Sequence, residues 1–335
     1  MKNFKCSKIV IASLVSLFSC LNSSDEIIIV PTNEIDQINS KGNSSARTQW
    51  TTYDEFNILE VKEFFTTIGP GQHNTGTLTI PSDYIIVGGG AMILDVANHP
   101  NAFITESRPD FANNAWVVST KDHRFTDVHS VKIAAIGIKL LNFSSSQVRS
   151  YMQVFTNTST TQAHPTISVT VPSDYQLIGG GARVNYGSGA GNLLTVSVGW
   201  PFGNIWIAES KDHFISSPAS ITAYAIGIKK IIPNLYCNSG CDPGGFFDVS
   251  EGVSPIIYAP SGSSLATTPL TGNGWAISSV GAAVGYSGAG RMLQEIFPGE
   301  LSQVATSRSR DQSSASPGSM YVNVIRIKPH GCWAC

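Results

Sequence analysis

Short apolar–polar alternations, separated by turn residues, run through most of the chain after residue 50. Alternation with a period of two residues is typical of strands that have one buried and one exposed face. Six such strands are predicted in the middle of the chain, at roughly 148–156, 166–171, 176–186, 193–198, 205–210 and 220–229. No segment keeps an apolar period of 3.6 residues, so few helices are expected. The pattern predicts an all-β protein.

The same pattern of strands occurs more than once. The stretch VPSDYQLIGGGARV at 171–184 has a near-copy, IPSDYIIVGGGAMI, at 80–93. A third and more divergent copy contains VGAAVGYSGAGRML at 280–293 and VNVIRIK at 322–328. Repetition at a nearly fixed period indicates one structural unit that is used three times.

Each unit of about 85 to 90 residues has the strand count of a small antiparallel β-sandwich. Its last strand, IAAIGI at 133–138 and AYAIGI at 223–228, is apolar on both faces, which predicts that other strands and layers cover it. This strand favours three units that pack against one another with pseudo-threefold symmetry. Three independent domains in a row are the alternative. The predicted organisation is a signal peptide at 1–19, a polar tether at 20–49, β repeats at 50–142, 143–234 and 252–329, a Cys- and Gly-rich linker at 235–251, and a Cys-containing tail at 330–335.

A run of three glycines stands inside a predicted strand of the first two repeats, at 88–90 and 179–181. Glycine weakens the interior of a strand, so the run indicates a bulge or a close approach by another backbone or a bulky ring. A phosphate-binding loop is disfavoured, because no helix and no Lys-Ser or Lys-Thr pair follows. Trp116 and Trp206, which recur at the start of the fifth strand, are predicted to lie in the core.

The first residues have the features of an export signal. Lys2, Lys5 and Lys8 accompany an apolar stretch, IVIASLVSLF at 9–18, which is too short to span a bilayer as a stable anchor. The LFSC that follows resembles the lipobox of bacterial lipoproteins. That resemblance implies cleavage before Cys20, lipid on its sulfur, and a location in the bacterial cell envelope, at the outer membrane or the cell surface. An ordinary secretory signal is the alternative.

Four further cysteines lie after the second repeat, in CNSGC and in CWAC: Cys237, Cys241, Cys332 and Cys335. In an exported chain, an even set of cysteines is typical of disulfide bonds. The short spacings also permit zinc binding. A thioredoxin-like role for CWAC is disfavoured, because no strand–helix context surrounds it. Disulfide bonds are therefore the favoured prediction.

Composition narrows the class of partner. Charged residues make up 13% of the chain, the net charge is −2, and no Arg-rich segment is present. Nucleic-acid binding therefore lacks its electrostatic footprint. At the level of the fold alone, six-stranded units in a set of three resemble H-type lectin domains, which associate as trimers. That resemblance implies mutual packing of the units.

The most conspicuous polar motif, KDH, ends the same strand in the first two repeats, and the third repeat has a variant of it: Lys121, Asp122, His123; Lys211, Asp212, His213; Arg310, Asp311, Gln312. Alternation points the Lys and the His to one face and the Asp to the other. One interpretation is a ligand contact in which the Asp orients the His or tunes its pKa. The other is a strand end at which the Asp caps the next turn and the Lys lies in solvent. Because the third copy lacks the imidazole, a threefold metal or catalytic site is disfavoured.

Three aromatic residues lie in or beside turns rich in Gly and Pro, where exposed rings can stack on sugars or anchor a partner protein: Tyr186, Trp200 and Phe202. Neither HExxH nor GxSxG occurs, and no cofactor is predicted. The sequence predicts an exported, lipid-anchored surface protein for binding or adhesion, whose ligand is a glycan or an extracellular host or matrix protein. An exported hydrolase with an unrecognised site and a structural envelope lipoprotein are the alternatives.

Overall fold

Nearly all regular structure in the computed structural model is β-strand, which confirms the predicted all-β class. The structure describes residues 47–53, 58–187, 189–233, 247–268, 275–299 and 304–329. Cys20 and the four later cysteines fall outside these ranges, so lipidation, disulfide bonds and zinc binding stay predictions. Within the described ranges, no helix is long and apolar enough to cross a membrane.

The strands recur at corresponding places in the three repeats. The first repeat contains β1 (Arg47–Tyr53), β2 (Leu59–Gly71), β3 (His73–Thr79), β4 (Ile85–Ile93), β5 (Ala102–Asp110), β6 (Ala115–Asp122) and β7 (His129–Leu140). The second contains α1 (Ser145–Ser150), β8 (Met152–Thr158), β9 (Thr166–Thr170), β10 (Tyr175–Asn185), β11 (Leu193–Trp200), a 3-10 turn (Pro201–Gly203), β12 (Ile205–Lys211) and β13 (Ser220–Lys229). The third contains β14 (Phe247–Val253), β15 (Ile257–Ala259), β16 (Ser263–Thr267), β17 (Ala276–Tyr286), β18 (Arg291–Pro298), β19 (Ala305–Asp311) and β20 (Gly318–Pro329). β1 and β15 have no counterpart in the second repeat, and β14 begins within the predicted linker 235–251.

Each of the three antiparallel sheets takes strands from two repeats. Sheet I has the order β1-β2-β7-β4-β18-β19-β16 and joins the first and third repeats. Sheet II has the order β3-β6-β5-β10-β13-β8 and joins the first and second. Sheet III has the order β14-β20-β17-β11-β12-β9, with β15 paired to β20, and joins the second and third. The repeats therefore pair in a closed ring with pseudo-threefold symmetry and are not independent domains.

Each repeat encloses an apolar core between two three-stranded halves that belong to different sheets. In the first repeat these halves are β2-β7-β4 and β3-β6-β5. Phe64 from one half and Trp116 from the other are almost fully buried in the same core cluster, and Trp206 is buried in the second repeat. The predicted core positions of both tryptophans are confirmed. The predicted covering of the last strand is also confirmed, because consecutive residues, which point to opposite faces, are fully buried at Ala134 and Ala135 and at Ala225 and Ile226.

The middle glycine of each run makes room for the core tryptophan of its own repeat. A Cβ on Gly89 would lie 2.5 Å from the Trp116 ring, and a Cβ on Gly180 would lie 2.5 Å from the Trp206 ring. Real Cβ atoms do not approach other atoms so closely. The expectation that a bulky ring presses on the run is confirmed.

The third repeat keeps the volume of this pair while changing both of its members. In the strand register, Val280 takes the place of the middle glycine and Ala305 takes the place of the tryptophan. A larger residue on one strand and a smaller one on the facing strand together replace the Gly–Trp pair. Such volume-conserving exchanges are the changes that a close-packed core tolerates best.

The first and third glycines lie where two repeats meet. A Cβ on Gly179 would collide with the carbonyl oxygen of Val87, and a Cβ on Gly181 would collide with that of Ser107. Both carbonyl groups belong to the first repeat. The strand also bulges immediately before Gly179, after Leu177. Backbone therefore presses on the run from a neighbouring repeat, as the glycine pattern predicted.

The strand predicted to begin at residue 148 begins later, because α1 precedes it. The hydroxyl of Ser144 accepts the backbone N–H of Gln147 at 3.3 Å, and the Gln147 side chain accepts the backbone N–H of Ser144 at 2.8 Å. This capping box satisfies two donors that a helix N-terminus otherwise leaves free. The prediction of strand was therefore wrong for the residues before β8.

Candidate functional site

The two KDH lysines are buried and connect neighbouring repeats. Lys121 donates from Nζ to the carbonyl oxygen of Gly189 at 2.9 Å and to that of Ala190. Lys211 donates to the carbonyl oxygen of Ala289, in the equivalent loop of the third repeat. Burial lowers the pKa of both amino groups. Each lysine thus reaches from one repeat into the next, and the interpretation that placed it in solvent is wrong.

The aspartates of the motif bind the turn that follows their strand. Asp122 and Asp212 each accept the backbone N–H five residues further on, at 3.2 Å. Asp311 makes the same contact at 2.8 Å. His73 lies 3.1 Å from Asp122, and His164 lies 3.3 Å from Asp212. A carboxylate held by a turn amide is a common way to end a strand.

The third motif residues come together on the pseudo-threefold axis, since equivalent residues can touch one another only there. Nε2 of His123 lies 2.7 Å from the carbonyl oxygen of His213, and the Gln312 amide donates to the carbonyl oxygen of His123. Burial, together with His123, Lys211 and Arg124, lowers the pKa of His213 to about 3. The ring is therefore neutral at neutral pH. Among the described residues, no three His, Cys, Asp or Glu side chains are arranged to hold a metal ion.

The other predicted contact residues differ in their exposure. Tyr186 is partly buried, with its ring centroid 5.5 Å from Nζ of Lys121, and Arg310 is partly buried too. Trp200 and Phe202 lie at the 3-10 turn and are 44% and 74% exposed. Of the predicted contacts, these two rings are the most accessible to a ligand, and their role stays a prediction.

The outer face of each sheet, opposite the cores, forms a concave surface between two repeats. In sheet I, Phe65 and Phe297 are separated by β7 and β4, yet their ring centroids are 5.6 Å apart. In each sheet, an outward-pointing Cβ on the glycine where the repeats meet (Gly90, Gly181 or Gly281) would lie within 2.6 Å of a carbonyl oxygen of the adjoining strand, so the sheet bends toward its outer face there. We name the outer faces groove I, groove II and groove III after their sheets.

A row of polar side chains crosses groove II, with one residue on each strand. In strand order the row consists of Thr75, Ser119, Glu106, Arg183, Thr222 and Thr158. Hydrogen bonds of 3.0 and 2.7 Å join the first three residues, and one of 2.9 Å joins the last two. Nε of Arg183 lies 3.8 Å from Oε1 of Glu106. The row offers hydrogen-bond donors and acceptors across the full width of the sheet.

A second row of groove II contains Arg108, Gly181 and Tyr224. Because Gly181 has no side chain, Arg108 extends over it, and its guanidinium carbon lies 5.4 Å from the centroid of the Tyr224 ring. Nε of Arg108 also donates to Glu106 at 2.6 Å. Burial raises the pKa of Tyr224, so its hydroxyl stays protonated and can donate a hydrogen bond.

Groove III is mostly apolar at the same positions. Val196 and Val198 stand where groove II has Glu106 and Arg108, and Ala283 stands where groove II has an arginine. These three residues form an apolar cluster of their own. The same backbone positions therefore present a different chemistry in this groove.

Two carboxyl groups accompany the apolar cluster of groove III. Glu209 and Glu251 both lie near Tyr321. Burial raises the pKa of each carboxyl group, and Asn323 donates to Glu251 at 3.0 Å. Groove III therefore contains acidic groups that favour their protonated form more than an exposed glutamate does.

Groove I combines features of the other two grooves. Nε of Arg308 lies 3.3 Å from Oε2 of Glu295. Beside this pair, Phe65 and Phe297 make an apolar floor, and Nζ of Lys132 lies 5.0 Å from the Phe65 ring centroid. The three grooves thus share a backbone and differ in the polarity and charge of their side chains.

Sequence reasoning missed the groove II residues because it selected residues that recur between repeats. Arg108 does not recur, since Val198 and Phe297 stand at its position, and Glu106 recurs only in the third repeat, as Glu295. A signal was nevertheless present in the sequence. When the repeats are aligned, strand positions that are polar in one repeat and apolar in another indicate the outer faces of the sheets.

The groove II side chains can bind a polar ligand in several ways at once. Hydroxyl, carboxylate and guanidinium groups fix the orientation of a ligand, and a tyrosine ring supplies an apolar face. The chain matches no known protein-family model, and no curated protein is significantly similar to it.

Proposed function

We propose that this protein is an exported, lipid-anchored surface protein that binds a glycan in groove II. The observation that supports this best is the polar row on all six strands of sheet II. Sugar hydroxyls donate and accept hydrogen bonds, so they suit a surface on which the acceptor Glu106 lies beside the donor Arg183. The Tyr224 ring adds a face against which the apolar side of a sugar can pack.

The KDH motif is a weaker candidate for ligand contact than groove II. The lysine and histidine side chains of both copies are at most 3% exposed. Their hydrogen bonds hold the repeats together, so a ligand would have to open the axis to reach them. The proposed site therefore lies in the groove, and Trp200 and Phe202 provide the accessible alternative.

Binding arrays test the proposed site. The full-length protein is incubated with arrays of glycans and extracellular-matrix proteins, next to the variants Arg108→Gln, Tyr224→Leu and Trp200→Ala. We expect glycan binding by the wild type and by Trp200→Ala, and loss of that binding in both groove variants. Circular dichroism of each variant checks that the fold is intact.

The same arrays can contradict the proposal in two ways. Loss of binding in Trp200→Ala alone would move the contact to the 3-10 turn. Binding to matrix proteins without binding to any glycan would replace the glycan with a protein ligand.

The proposed location depends on the first twenty residues, which lie outside the described ranges. Metabolic labelling with palmitate, compared between the wild type and Cys20→Ala, tests it. We expect label in the wild type and none in the variant. Equal label in both would exclude a lipid on this cysteine.

A second candidate function, an exported glycoside hydrolase, is favoured by one observation in groove III. Glu209 and Glu251 both lie near Tyr321, and burial raises the pKa of each carboxyl group. A general acid must be protonated at the working pH, and pairs of carboxyl groups carry out glycoside hydrolysis. Reducing-sugar release from polysaccharides, lost in Glu209→Gln, would support this function; release that is absent or unchanged in the variant would exclude it.

A further inference from the structure

Groove II carries more positive than negative charge. Among the described residues, Glu106 is the carboxylate that lies within ion-pair distance of Arg108 and of Arg183. Its oxygens are already engaged, Oε1 by Arg108 at 2.6 Å and Oε2 by the hydroxyl of Ser119 at 2.7 Å. One guanidinium group therefore shares this carboxylate without a hydrogen bond to it.

Arg183 is the guanidinium group in question. Its Nε lies 3.8 Å from Oε1 of Glu106, which is longer than a hydrogen bond. Its side chain is 48% exposed, compared with 19% for Arg108 and 9% for Glu106. A half-exposed arginine fork with a loose partner can take a second carboxylate in the bidentate geometry that guanidinium groups favour.

An aromatic side chain lies beside Arg183. Gly181 separates Arg108 from Tyr224 in the second row, and no larger residue fits there because its Cβ would collide with the carbonyl oxygen of Ser107. The partly exposed ring of Tyr224 lies on the neighbouring strand, diagonal to Arg183 on the same face. An anion on Arg183 is therefore held next to an aromatic face.

We propose that groove II binds an acidic sugar, with the sugar carboxylate on Arg183 and the sugar ring against Tyr224. This inference rests on the proposed glycan-binding function and adds the charge of the ligand to it. Groove III provides the contrast within the same chain. There, Val198 and Ala283 stand at the positions of the two arginines. Glu209 and Glu251 are the nearby ionisable groups, so groove III disfavours an anion.

Calorimetric titration with two matched ligands tests the inference. One ligand is a uronic-acid oligosaccharide, and the other is the same oligosaccharide after reduction of its carboxylates to alcohols. We expect the full-length protein to bind the acid at least about tenfold more tightly, as a charge-assisted hydrogen bond allows. Raising the salt concentration should weaken binding of the acid more than binding of the alcohol.

Variants test whether Arg183 causes the difference in affinity between the two ligands. Arg183→Gln should lower the affinity for the acid about tenfold and leave the affinity for the alcohol unchanged. Arg183→Lys, which keeps the charge and loses the fork, should fall between the two. Arg124→Gln, at an exposed arginine near the axis, is the matched control and should bind as the wild type does.

The outcomes separate this inference from the proposed function. Equal affinity for both ligands would leave the glycan site standing and overturn the acidic sugar. Failure of both ligands to bind also overturns it, while the glycan arrays still decide the broader function. Tighter binding of a sulfated sugar without carboxylates, or of oligo-glutamate, would overturn it in favour of a sulfate or an acidic peptide.

Discussion

The pseudo-threefold axis and the three grooves are made from the same strands, yet the repeats agree at the axis and disagree in the grooves. At the axis, Phe103, Leu193 and Met292 occupy equivalent positions and form one apolar cluster. Each lies opposite the basic residue of its own repeat's motif on the neighbouring strand, which is Lys121, Lys211 or Arg310. In the grooves, by contrast, Arg108 corresponds to Val198.

This difference shows what recurrence of a residue means in a chain of repeats. The aspartate of the motif makes the same turn contact in every copy, and it is present in all three. The contacts on the outer faces differ from sheet to sheet, so each copy can carry a different residue there. Here the recurring polar motif belongs to the structure, and the polar residues that do not recur belong to the surface open to a ligand.

The largest expected effect comes from a side chain added in the interior, at Gly180→Val. The new Cβ would lie 2.5 Å from the Trp206 ring and would collide with the carbonyl oxygen of Tyr224. Overpacking of this kind costs about 1–3 kcal/mol, and collision with backbone favours the upper end. Circular dichroism should show a melting midpoint lowered by roughly 5 °C or more.

Two further variants sharpen this prediction. Gly187→Val is the matched control, because nothing lies within 4 Å of a Cβ there, and it should melt as the wild type does. Adding Trp206→Ala to Gly180→Val recreates the Val280 and Ala305 pair of the third repeat. The double variant should be more stable than the two single changes predict by addition; strict additivity would contradict the volume exchange.

A smaller effect is expected at the axis when the pH falls. The folded pKa of His213, about 3, lies below its ordinary value of 6.5, so the unfolded chain takes up the proton first. The stability that the neutral ring provides is complete above pH 6.5 and is lost as the pH falls from 6.5 toward 3. His213→Gln, which installs the residue of the third repeat, should therefore lose less stability between pH 7 and pH 5, measured by urea unfolding.

A comparison of the variant with the wild type is needed because Glu63 changes the stability with pH in the opposite direction to His213. Burial raises its pKa to about 8, so the folded protein keeps a proton that the unfolded chain releases, and this contribution is lost as the pH rises from 4.5 through 8. That contribution is common to both proteins and cancels. The same pH dependence in both would mean that His213 does not titrate differently on unfolding.

In groove II, the expected effect on stability is smaller still and the effect on binding is large. Glu106→Val combined with Arg108→Val installs the residues of groove III. The pair is largely buried, and replacing both members of a buried ion pair with apolar residues is often close to neutral, so the melting midpoint should change by only a few degrees. Binding of the glycan found on the arrays should be lost. A large fall in the midpoint would place this pair among the contacts that hold the repeats together.

The smallest effect is expected at a pair that recurs on the surface. Lys139 lies 2.9 Å from Asp83, and Lys229 pairs with Asp174 at the equivalent place in the second repeat. Solvent screens both pairs, so Lys229→Ala should have the same melting midpoint as the wild type. A clear loss of stability would show that recurrence matters even without burial.

The fold class, the repeats and most strands could be predicted because they depend on local periodicity. The sheets could not, since the apolar run of β4 is the same whether β4 pairs only within its repeat or also with β18. The candidate site depends on the same long-range pairing. Glu106 and Arg183 meet only because two repeats share sheet II, and no spacing in the sequence marks them as partners.

One local feature that was missed could have been found. Ser144 and Gln147 have the spacing of a capping box, and both of its hydrogen bonds are present at the start of α1. The apolar alternation that follows dominated the prediction. The Ser-x-x-Gln spacing therefore indicates a short helix before the strand pattern begins.

The ring of repeats also determines when the chain can finish folding. β4 completes its pairing only when Met92 meets Glu295 of β18, so the first repeat must wait for the last to be synthesised. Until then β4 has an open edge, and an open edge is a template for pairing with another chain. Closing so long a loop also costs more entropy than closing a hairpin. A chain that ends before the third repeat would have two additional open edges, on β4 and β11, and both would match the third repeat of another copy.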